Sequence, residues 1–424
     1  MKIAVVGSGI AGNVAARHLA REHDVTVFEA GAHAGGHVHT HDVEQDGRRY
    51  RVDTGFIVFN DWTYPNFIQL LGELGVDSQQ SSMSFSVRNE HTGFEYNGSS
   101  LDGLLAQRRN LLRPAFWRML ADILRFNREA PALLSGPQDE MSLGDYLAEN
   151  RYSREFTEHY IVPMGAAIWS TDASRMRAFP ARFFVRFFHN HGMLSVDRRP
   201  QWRTIRGGSA SYVEKLVAPF RDRIRLNTPV QSIRRLAGQV IVKPRGHEAE
   251  RFDAAFIACH SDQALAMLAD ATAQEREILG AIGYQRNDVV LHTDARLLPR
   301  SRRAWAAWNY HVQGDASGPV ALTYNMNILQ SLDSRRPFLV TLNRGDAIDP
   351  GQVIKRLSYD HPLFTPAAVA AQARQHEING PLNTYFCGAY WRYGFHEDGV
   401  VSALAALGHF RRDRDAQRPL YRIG

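Results

Sequence analysis

Four histidines stand close together beside a pair of glycines near the start of the chain. His33 and His37 are four residues apart, and His37, His39 and His41 alternate as residues on one face of a strand do. Both spacings occur among metal ligands. A histidine beside glycines also suits an anion, because imidazole donates hydrogen bonds and carries partial charge near neutral pH. The spacing leaves both chemistries open, so the neighbouring residues must decide.

A glycine-rich turn lies just ahead of this cluster. It has the pattern G-x-G-x-x-G, formed by Gly7, Ser8, Gly9, Ile10, Ala11 and Gly12. Glu29 follows 17 residues after Gly12. In such a pattern the glycines allow a tight turn and close approach of a pyrophosphate, the following helix faces the phosphates, and the acid binds ribose hydroxyls. The sequence therefore predicts a dinucleotide site, and Glu29 disfavours NADP because it would repel a 2′-phosphate.

The elements around this turn predict the fold class. "KIAVV" and "DVTVFEA" are strand-like, and "NVAARHLAR" between them has helical spacing, which makes a βαβ unit of a parallel sheet. Residues 101–127 and 181–194 read as helices rich in aromatic residues and arginine. Strand patterns return at "IRLNTPVQSIRRL", "QVIVKP", "FDAAFIACH", "DVVLHT" and "PFLVTLN", and the tail reads as a strand, a glycine turn and a last helix. The nucleotide-type sheet thus recurs in three pieces.

Composition narrows the class of protein. The chain has 424 residues, 44% of them apolar, a formal charge of +6 and two cysteines, Cys259 and Cys387. Two cysteines exclude a disulfide framework and favour a reducing cytoplasm. No apolar run of 18 residues and no signal peptide are recognised. The mild excess of basic residues reflects either an ordinary solvated surface or an attraction to phosphate groups. Because no nucleic-acid-binding module is recognised, we expect no DNA or RNA partner.

Further motifs resemble one family. Gly35-Gly36-His37-Val38-His39-Thr40 is similar to the glycine pair, usually G-G-R, that follows the acidic residue in the flavin-containing amine oxidase superfamily. That superfamily includes monoamine oxidases, protoporphyrinogen oxidase and phytoene-type desaturases. "DTGFIVFN", "RGGSASYVEKL", "NTPVQSIRR" and "FDAAFIACH" resemble its other cofactor-binding segments. The resemblance covers nearly the whole chain and is closest to an uncharacterised bacterial branch of NAD/FAD-binding oxidoreductases.

The resemblance implies an α/β fold in which a Rossmann-like FAD-binding domain is combined with a discontinuous α+β substrate domain. The FAD-binding domain would comprise residues 1–90, 201–265 and 376–424, and the substrate domain residues 91–200 and 266–375. The cofactor would be FAD. The residues expected to bind it are Gly7, Ser8, Gly9, Ile10, Ala11, Gly12, Glu29, Ala30, Gly35, Gly36, His37, Gly55, Phe56, Val230, Ala258, Gly388, Asp398, Gly399 and Val400.

The same resemblance decides the histidine question. His37 stands where relatives carry arginine beside the phosphates, so we expect it to serve the flavin, and we expect His33 and His41 to be surface residues without a metal. Two other positions depart from the family. Relatives carry an acid just after the glycine that corresponds to Gly388, and a lysine near flavin N5 where this chain has Asn287. Asn287 and His396 are the candidate catalytic residues.

Three functions remain open from the sequence. The leading one is hydride abstraction by FAD from a lipophilic substrate, in an oxidase or desaturase reoxidised by O₂ or another acceptor. Aromatic residues in the inserted segments would line an apolar tunnel unless they are ordinary core, and the arginines of residues 108–125 would touch anionic lipid unless they are a solvated helix face. The alternatives are an amine oxidase and a non-redox binding protein of this fold, like the GDP-dissociation inhibitors. The oligomeric state is not predicted.

Overall fold

A computed structural model describes residues 1–136, 141–195, 197–236, 238–313, 318 and 320–417. Parts of both expected domains, residues 137–140, 196, 237, 314–317, 319 and 418–424, lie outside the described residues. The strands are, in chain order, β1 (Lys2–Val6), β2 (Asp24–Phe28), β3 (Thr40–Gln45), β4 (Arg48–Asp53), β5 (Val58–Asn60), β6 (Ser78–Gln80), β7 (Phe85–Asn89), β8 (Glu95–Asn97), β9 (Trp202–Ile205), β10 (Ile224–Arg225), β11 (Val230–Leu236), β12 (Gln239–Pro244), β13 (Glu250–Phe252), β14 (Ala254–Ile257), β15 (Tyr284–His292), β16 (Trp308–Val312), β17 (Ala321–Asn325), β18 (Leu339–Leu342), β19 (Val353–Pro362) and β20 (Thr384–Phe386).

The α-helices are α1 (Ile10–Leu19), α2 (Pro65–Leu74), α3 (Leu101–Leu104), α4 (Pro114–Glu129), α5 (Leu143–Glu149), α6 (Arg154–Phe156), α7 (Val162–Trp169), α8 (Ala173–Arg177), α9 (Ala181–Asn190), α10 (Ala210–Val217), α11 (Ser261–Met267), α12 (Ala273–Gly280), α13 (Met326–Leu329), α14 (Pro366–Ala373), α15 (Gln375–Ile378) and α16 (His396–Gln417).

A parallel sheet in the order β10-β2-β1-β14-β20 forms the nucleotide-type layer. Its strands come from three separate stretches of chain, as the sequence patterns predict. The central strand β1 is buried on both faces, because a parallel sheet covered on both sides needs continuous apolar strands. One face packs on α1, α10 and α16, and the other packs on α11, α12 and α14.

A second sheet of seven strands follows the order β19-β15-β18-β17-β16-β7-β8. All of its pairings are antiparallel except that of β16 with β7. The patterns "DVVLHT" and "PFLVTLN" predict β15 and β18 correctly. Strands β16, β17 and β19 are not predicted, and β19 supplies residues that matter for the site. Its half-exposed positions give it no apolar signature.

The helix expected over residues 101–127 is wrong as one element. The structure has α3, a 3₁₀ turn from Arg108 to Leu112, and α4. Pro114 causes the last break: it lacks an N–H group and disfavours helical dihedrals at the residue before it. Arg113 is accordingly extended, with φ −103° and ψ 110°, and α4 begins at Pro114.

A hairpin of β3 and β4 follows the glycine pair and was not predicted. Its turn is Asp46-Gly47, with φ of +53° and +74°. Two residues with positive φ make the turn type that matches strand twist in two-residue hairpins, and Asp-Gly is a preferred sequence for it. The hairpin carries the chain from the glycine pair to Asp53 and on to Gly55, and so fixes how those residues meet.

Candidate functional site

The glycine-rich turn between β1 and α1 is held so tightly that larger side chains would not fit at its ends. Gly7 has a φ of +100°, and a Cβ there would lie 2.9 Å from the carbonyl oxygen of Ala258. A Cβ on Gly12 would lie 1.9 Å from the carbonyl oxygen of Gly7. A Cβ on Gly9 would meet no atom within 4 Å, so Gly9 borders open space. Ser8, Ile10 and Ala11 are buried beside it.

Glu29 closes the loop after β2 over this turn. Its Oε2 atom accepts hydrogen bonds from the N–H and the hydroxyl of Ser8, at 2.8 and 2.6 Å, and its Oε1 atom accepts the N–H of Gly31 at 2.7 Å. Ala30, which follows, is exposed. The carboxylate is therefore fixed at the end of β2 beside the glycine-rich turn, where the sequence predicts an acid.

The glycine pair packs directly on the glycine-rich turn. The N–H of Gly35 donates to the carbonyl oxygen of Ser8 at 2.9 Å, and a Cβ on Gly36 would lie 3.0 Å from the Cα atom of Gly9. Gly35 and Gly36 have φ of +139° and +60°, which favour glycine. The glycine-rich turn and the glycine pair thus form one cradle of exposed backbone around Gly9.

Gly55 and Phe56 lie against the residue after the pair. A Cβ on Gly55 would lie 1.9 Å from the carbonyl oxygen of His37, and the N–H of Phe56 donates to that oxygen at 2.9 Å. The Phe56 ring stacks on the ring of His396, with centroids 3.7 Å apart. His396 Nε2 lies 2.5 Å from the hydroxyl of Tyr212. Burial lowers the pKa of His396 to about 3, so its ring is neutral.

A buried carboxyl joins the early segment to the mid-chain "RGGSASYVEKL" motif. Asp53 accepts hydrogen bonds from the N–H and hydroxyl of Ser209, from the Thr40 hydroxyl at 2.5 Å, and from Gln330 Nε2 at 2.9 Å. Burial raises the pKa of Asp53 to about 6. The Thr40 methyl also leaves no room for a Cβ at Gly208, at 2.6 Å. Asp53 therefore links, by hydrogen bonds, two segments that resemble cofactor-binding motifs.

The start of α16 meets the start of α1. A Cβ on Gly399 would lie 2.6 Å from Cγ2 of Ile10, and Val400 is buried. The Gly399 N–H donates to the carbonyl oxygen of Phe395 at 3.2 Å. Because α16 begins at His396, the Gly399 N–H forms a hydrogen bond within the first turn of the helix. Asp398 Oδ2 instead accepts the N–H groups of Tyr393 and Phe395, and burial raises the pKa of Asp398 to about 6.

Gly388 follows β20, an edge strand of the parallel sheet, and Val230 begins β11 in the separate sheet β11-β12-β13. The Gly388 N–H donates to the hydroxyl of Ser402 in α16 at 2.9 Å. The neighbouring Cys387 is fully buried, and burial raises the pKa of its thiol to about 12. Val230 is half-buried and follows Thr228, whose N–H donates to the carbonyl oxygen of Glu29. The structure therefore places Val230 near Glu29 and Gly388 beside α16.

The histidines divide into two groups. The rings of His33 and His39 stack with centroids 4.3 Å apart, and those of His39 and His41 lie 4.1 Å apart. His41 is buried, so the expectation that it is a surface residue is wrong; its Nε2 lies 3.1 Å from the hydroxyl of Thr54. Across the described ranges, no group of three or more His, Cys, Asp or Glu side chains has metal-site geometry.

His37 belongs to the other group. Its ring lies 5.7 Å from that of His361, 6.0 Å from that of His260 and 5.2 Å from that of Tyr359. Its Nε2 atom is buried without a hydrogen-bond partner among the described residues. Burial, reinforced by His260, lowers the pKa of His37 to about 4.

Asn287 lies on β15 and is bonded to this second group. Its Nδ2 lies 3.3 Å from Nδ1 of His361, and its Oδ1 accepts the Nδ2–H of Asn343 at 2.9 Å. Burial lowers the pKa of His361 to about 3. The sequence alone does not single out His361, Tyr359 or His260. His361 and Tyr359 alternate on β19, which is not recognisable as a strand, and His260 ends "FDAAFIACH" without a motif.

The aromatic residues of the inserted segments do not form one group. Phe183, Phe184, Phe187 and Phe188 pack in one cluster with Tyr393 and Phe395. Trp308 and Tyr310 pack in a second, and Tyr390 and Trp391 in a third. Most of them are therefore core. A cavity of about 360 Å³ borders the first cluster, lined by Trp62, Tyr64, His191, Tyr393, Phe395 and Asp398 among others.

Comparison with known proteins identifies the class. Residues 10–304 match the family model of flavin containing amine oxidoreductases. The chain belongs to this family and is a flavin-dependent oxidoreductase with FAD as its cofactor. Among curated protein sequences, none is significantly similar to this chain. In the part of the chain that the structure describes, no helix is long and apolar enough to cross a membrane.

Solved structures share the fold at low sequence identity. Cyclohexylamine oxidase from Brevibacterium oxydans IH-35A has a TM-score of 0.70 at 15% identity, with 98% of this chain and 99% of that chain covered. Putrescine oxidase bound to putrescine has a TM-score of 0.67 at 15% identity, with 97% of this chain and 100% of that chain covered. A CLA-producing fatty acid isomerase from P. acnes has a TM-score of 0.67 at 17% identity, with 96% of this chain and 98% of that chain covered. These likenesses establish the two-domain, amine-oxidase-like fold.

The residues present fit FAD. Gly9 and Gly36 offer bare backbone beside open space, which a diphosphate requires. The Glu29 carboxylate lies beside the glycine-rich turn, where it would bind ribose hydroxyls. The unpartnered Nε2 atom of His37 could form a hydrogen bond with a bound ligand. The glycine-rich turn, Glu29 and the glycine pair are therefore brought together in one cradle.

Proposed function

We propose that the protein is an FAD-dependent oxidase or desaturase acting on a lipophilic substrate. The bound flavin supplies the redox chemistry by accepting a hydride, and O₂ or another acceptor regenerates it. The protein's own part is to hold the cofactor, orient the substrate and exclude water. A cytoplasmic location with weak attachment to anionic membrane is part of the proposal.

We propose that the cofactor is held as the resemblance implies. Gly7 to Gly12, Gly35, Gly36 and His37 would receive the diphosphate, and Glu29 and Ala30 the ribose. Val230 and Ala258 would border the adenine side, and Gly55, Phe56, Gly388, Asp398, Gly399 and Val400 the flavin side. The supporting observation is the contact of Gly36 with Gly9, which makes one cradle from both glycine motifs.

The proposed domain division keeps residues 1–90, 201–265 and 376–424 as the FAD-binding domain, and 91–200 and 266–375 as the substrate domain. The parallel sheet draws its five strands from the first set. In the seven-stranded sheet, β15 to β19 and β8 come from the second set, while β7 (Phe85–Asn89) lies at the end of the first segment and pairs with β8. We therefore regard β7 as the crossing between the two domains.

The observation that supports a lipophilic substrate is a set of exposed large apolar side chains interspersed with arginines in the segment 101–124. Leu112 is 87% exposed, Leu101 79%, Leu124 60% and Trp117 51%. Trp117 and Leu124 are seven residues apart in α4 and share one helix face. Soluble surfaces seldom gather large apolar residues without a partner, and an apolar face beside basic residues is typical of interfacial helices. A lipid bilayer would bring a lipophilic substrate to this enzyme.

Of the two catalytic candidates, Asn287 has the better setting. Its amide belongs to a polar chain that ends at His361, close to His37 and the cradle. His396 is enclosed by Phe56, Phe67 and Tyr212. We propose that His396 supports Phe56 and that Asn287 orients polar groups near the flavin.

Amine oxidation is the second candidate, favoured by a specific feature of the cavity. Tyr393, Phe395 and Trp62 surround it together with the buried Asp398 carboxyl. Aromatic faces and a carboxylate are what a substrate ammonium group needs. Cyclohexylamine oxidase and putrescine oxidase share the fold. Against this, Arg392 Nε lies 3.7 Å from Asp398 and offsets its charge.

Anaerobic reduction of the bound flavin tests the two candidates. We expect a lipid extract to bleach the visible absorbance of the oxidised flavin, and primary amines to bleach it much less. The variant Asp398→Asn removes the carboxylate charge beside the cavity, and its FAD content is measured first because Asp398 also accepts the N–H groups of Tyr393 and Phe395. If amines bleach the flavin, Asp398→Asn abolishes that bleaching and lipids have no effect, the amine oxidase is correct. A protein without FAD would contradict both.

A further inference from the structure

Three imidazole rings from three separate elements face one another beside the glycine cradle. His37 follows the glycine pair, His260 follows β14, and His361 lies on β19. The His37 ring is 6.0 Å from that of His260 and 5.7 Å from that of His361. None is exposed, and His37 Nε2 has no hydrogen-bond partner among the described residues. A buried ring nitrogen without a hydrogen-bond partner is uncommon in a folded interior unless a ligand completes it.

The proton position on His361 follows from its neighbours. Asn343 Nδ2 donates to the carbonyl oxygen of Val320 and to Oδ1 of Asn287, so the Asn287 amide presents its Nδ2–H₂ to His361. His361 Nδ1, 3.3 Å away, must then accept, and the proton lies on Nε2. Protonation of Nδ1 would set a donor against a donor. Asn287 therefore keeps His361 neutral, with Nε2–H as its donor.

The charged groups around this trio are few. Asp360, next to His361 on β19, is the carboxylate that favours the charged form of both His37 and His260. Tyr359 packs on His37, and Tyr284 stacks on His260 with centroids 4.3 Å apart; both tyrosines stay neutral because burial raises their pKa values. The nearby Cys259 thiol is also neutral, because burial raises its pKa to about 12. No lysine or arginine appears among the described groups that shift the pKa of these histidines.

We propose that His37, His260 and His361 together form the side-chain part of the diphosphate site of FAD, and that the cofactor binds with uptake of a proton. This inference rests on the proposed FAD site and extends it to two residues outside the glycine motifs. An arginine would be charged at every pH, whereas imidazoles acquire charge when a dianion arrives. His361 contributes its neutral Nε2–H, so the proton goes to His37 or His260.

The direction of the pH effect follows from linkage. In the free protein, burial lowers the pKa of His37 to about 4 and also lowers the pKa of His260. A nearby dianion raises the pKa of an imidazole, so the complex holds more protons than the free protein between the two values. FAD affinity therefore increases as pH falls through that window. One proton taken up corresponds to about a tenfold change in Kd per pH unit.

Titration of the apoprotein with FAD between pH 5.5 and 8 tests the proposal, with proton uptake measured by calorimetry in buffers of different ionisation enthalpy. We expect His260→Gln and His361→Gln to raise the Kd of FAD by roughly tenfold to a hundredfold each. His247→Gln, in an exposed turn, is the matched control and should leave Kd unchanged.

Riboflavin, which lacks the diphosphate, separates a phosphate contact from general damage to the fold. Thermal unfolding of each apoprotein variant shows whether it is folded. Folded His260→Gln and His361→Gln variants that bind FAD as tightly as the wild type, with no proton uptake, would overturn the inference. An equal loss of FAD and riboflavin binding would also overturn it, because the histidines would then not act on the phosphates. Failure of the wild type to bind FAD at any pH would instead refute the proposed function.

Discussion

Glu397 lies in the first turn of α16 but caps a different helix. Its Oε2 accepts the N–H of Phe67 at 2.9 Å, and its Oε1 accepts the N–H and the side-chain amide of Asn66. Both residues belong to the first turn of α2, which begins at Pro65 and has no side-chain cap of its own. A carboxylate at a helix N-terminus satisfies free N–H groups and opposes the helix dipole. Glu397 therefore ties α2 to α16 at the edge of the cavity.

We predict that Glu397→Gln lowers the free energy of unfolding by about 1–2 kcal/mol, the usual range for a lost cap and a weakened charge-assisted hydrogen bond. Urea unfolding monitored by circular dichroism measures it. Glu248→Gln, at an exposed turn, is the control and should cost nothing measurable. Equal midpoints for the two variants would show that the cap does not stabilise α2.

The glycine cradle gives a prediction for cofactor binding. Gly9→Val points its side chain into open space, so the apoprotein should fold normally but bind no FAD. Glu29→Ala should weaken FAD binding by roughly a few-fold to a hundredfold, the value of one or two charge-assisted hydrogen bonds. Gly12→Ala is the contrast, because its Cβ would collide with the carbonyl oxygen of Gly7 and impair folding. Full FAD occupancy in purified Gly9→Val would contradict the cradle assignment.

The sequence predicts those parts of the site whose residues are close together along the chain, and it does not predict contacts between residues that are far apart along the chain. The turn from Gly7 to Gly12 and the acid Glu29 are local patterns, and strand β12 matches "QVIVKP" from end to end. The contact of Asn287 with His361 joins residues 74 positions apart through the register of β15 on β19, which no local pattern encodes. The position of the first helical hydrogen bond in α16 also required the structure, because helix starts vary by a residue or two.

Acid should destabilise the fold through His292, which is fully buried. Its Nδ1 accepts the N–H of Asp294 at 3.0 Å, so Nε2–H donates to the hydroxyl of Thr341 at 2.7 Å, and the ring is neutral. Burial lowers its pKa to about 4 from an ordinary 6.5. Between these values the unfolded chain binds the extra proton, so stability present above pH 6.5 is lost as pH falls towards 4.

The size of this effect is on the order of 3 kcal/mol, because the two pKa values differ by roughly 2.5. Urea unfolding at pH 7.5, 6.5, 5.5 and 4.5, values spaced by about one unit across the window, measures it. His292→Gln should reduce the slope of unfolding free energy against pH, whereas His376→Gln, at an exposed position, should keep the wild-type slope. A steeper slope in His292→Gln would show that the imidazole is charged in the folded protein.

The stacked histidines near the glycine pair provide a test of the metal alternative. The rings of His33 and His41 each lie against the ring of His39. The double variant His33→Gln/His41→Gln should keep the wild-type FAD content, while His37→Ala should lower it. Elemental analysis of the purified protein gives the independent measurement. Stoichiometric zinc or iron that disappears in the double variant would establish a metal site instead.

The exposed leucines and arginines of residues 101–128 predict salt-sensitive attachment to anionic vesicles. The segment carries six arginines and two aspartates, a net charge of +4. Arg108 is paired with Asp102 and Arg118 with Glu155, so only part of this charge is available to lipid. At about 1 kcal/mol per arginine near a charged surface, two or three contacts give weak binding that salt screens.

Sedimentation with phosphatidylserine vesicles at low and high ionic strength measures this attachment, and neutral phosphatidylcholine vesicles should bind less. Leu112→Glu and Trp117→Glu each place a charge where an apolar residue would enter the interface, so each should release the protein. Leu236→Glu, at a residue that is 50% exposed on β11, is the control for added charge alone. If all three variants bind as the wild type does, the apolar surface does not meet lipid, and the main structural support for a membrane-derived substrate is removed.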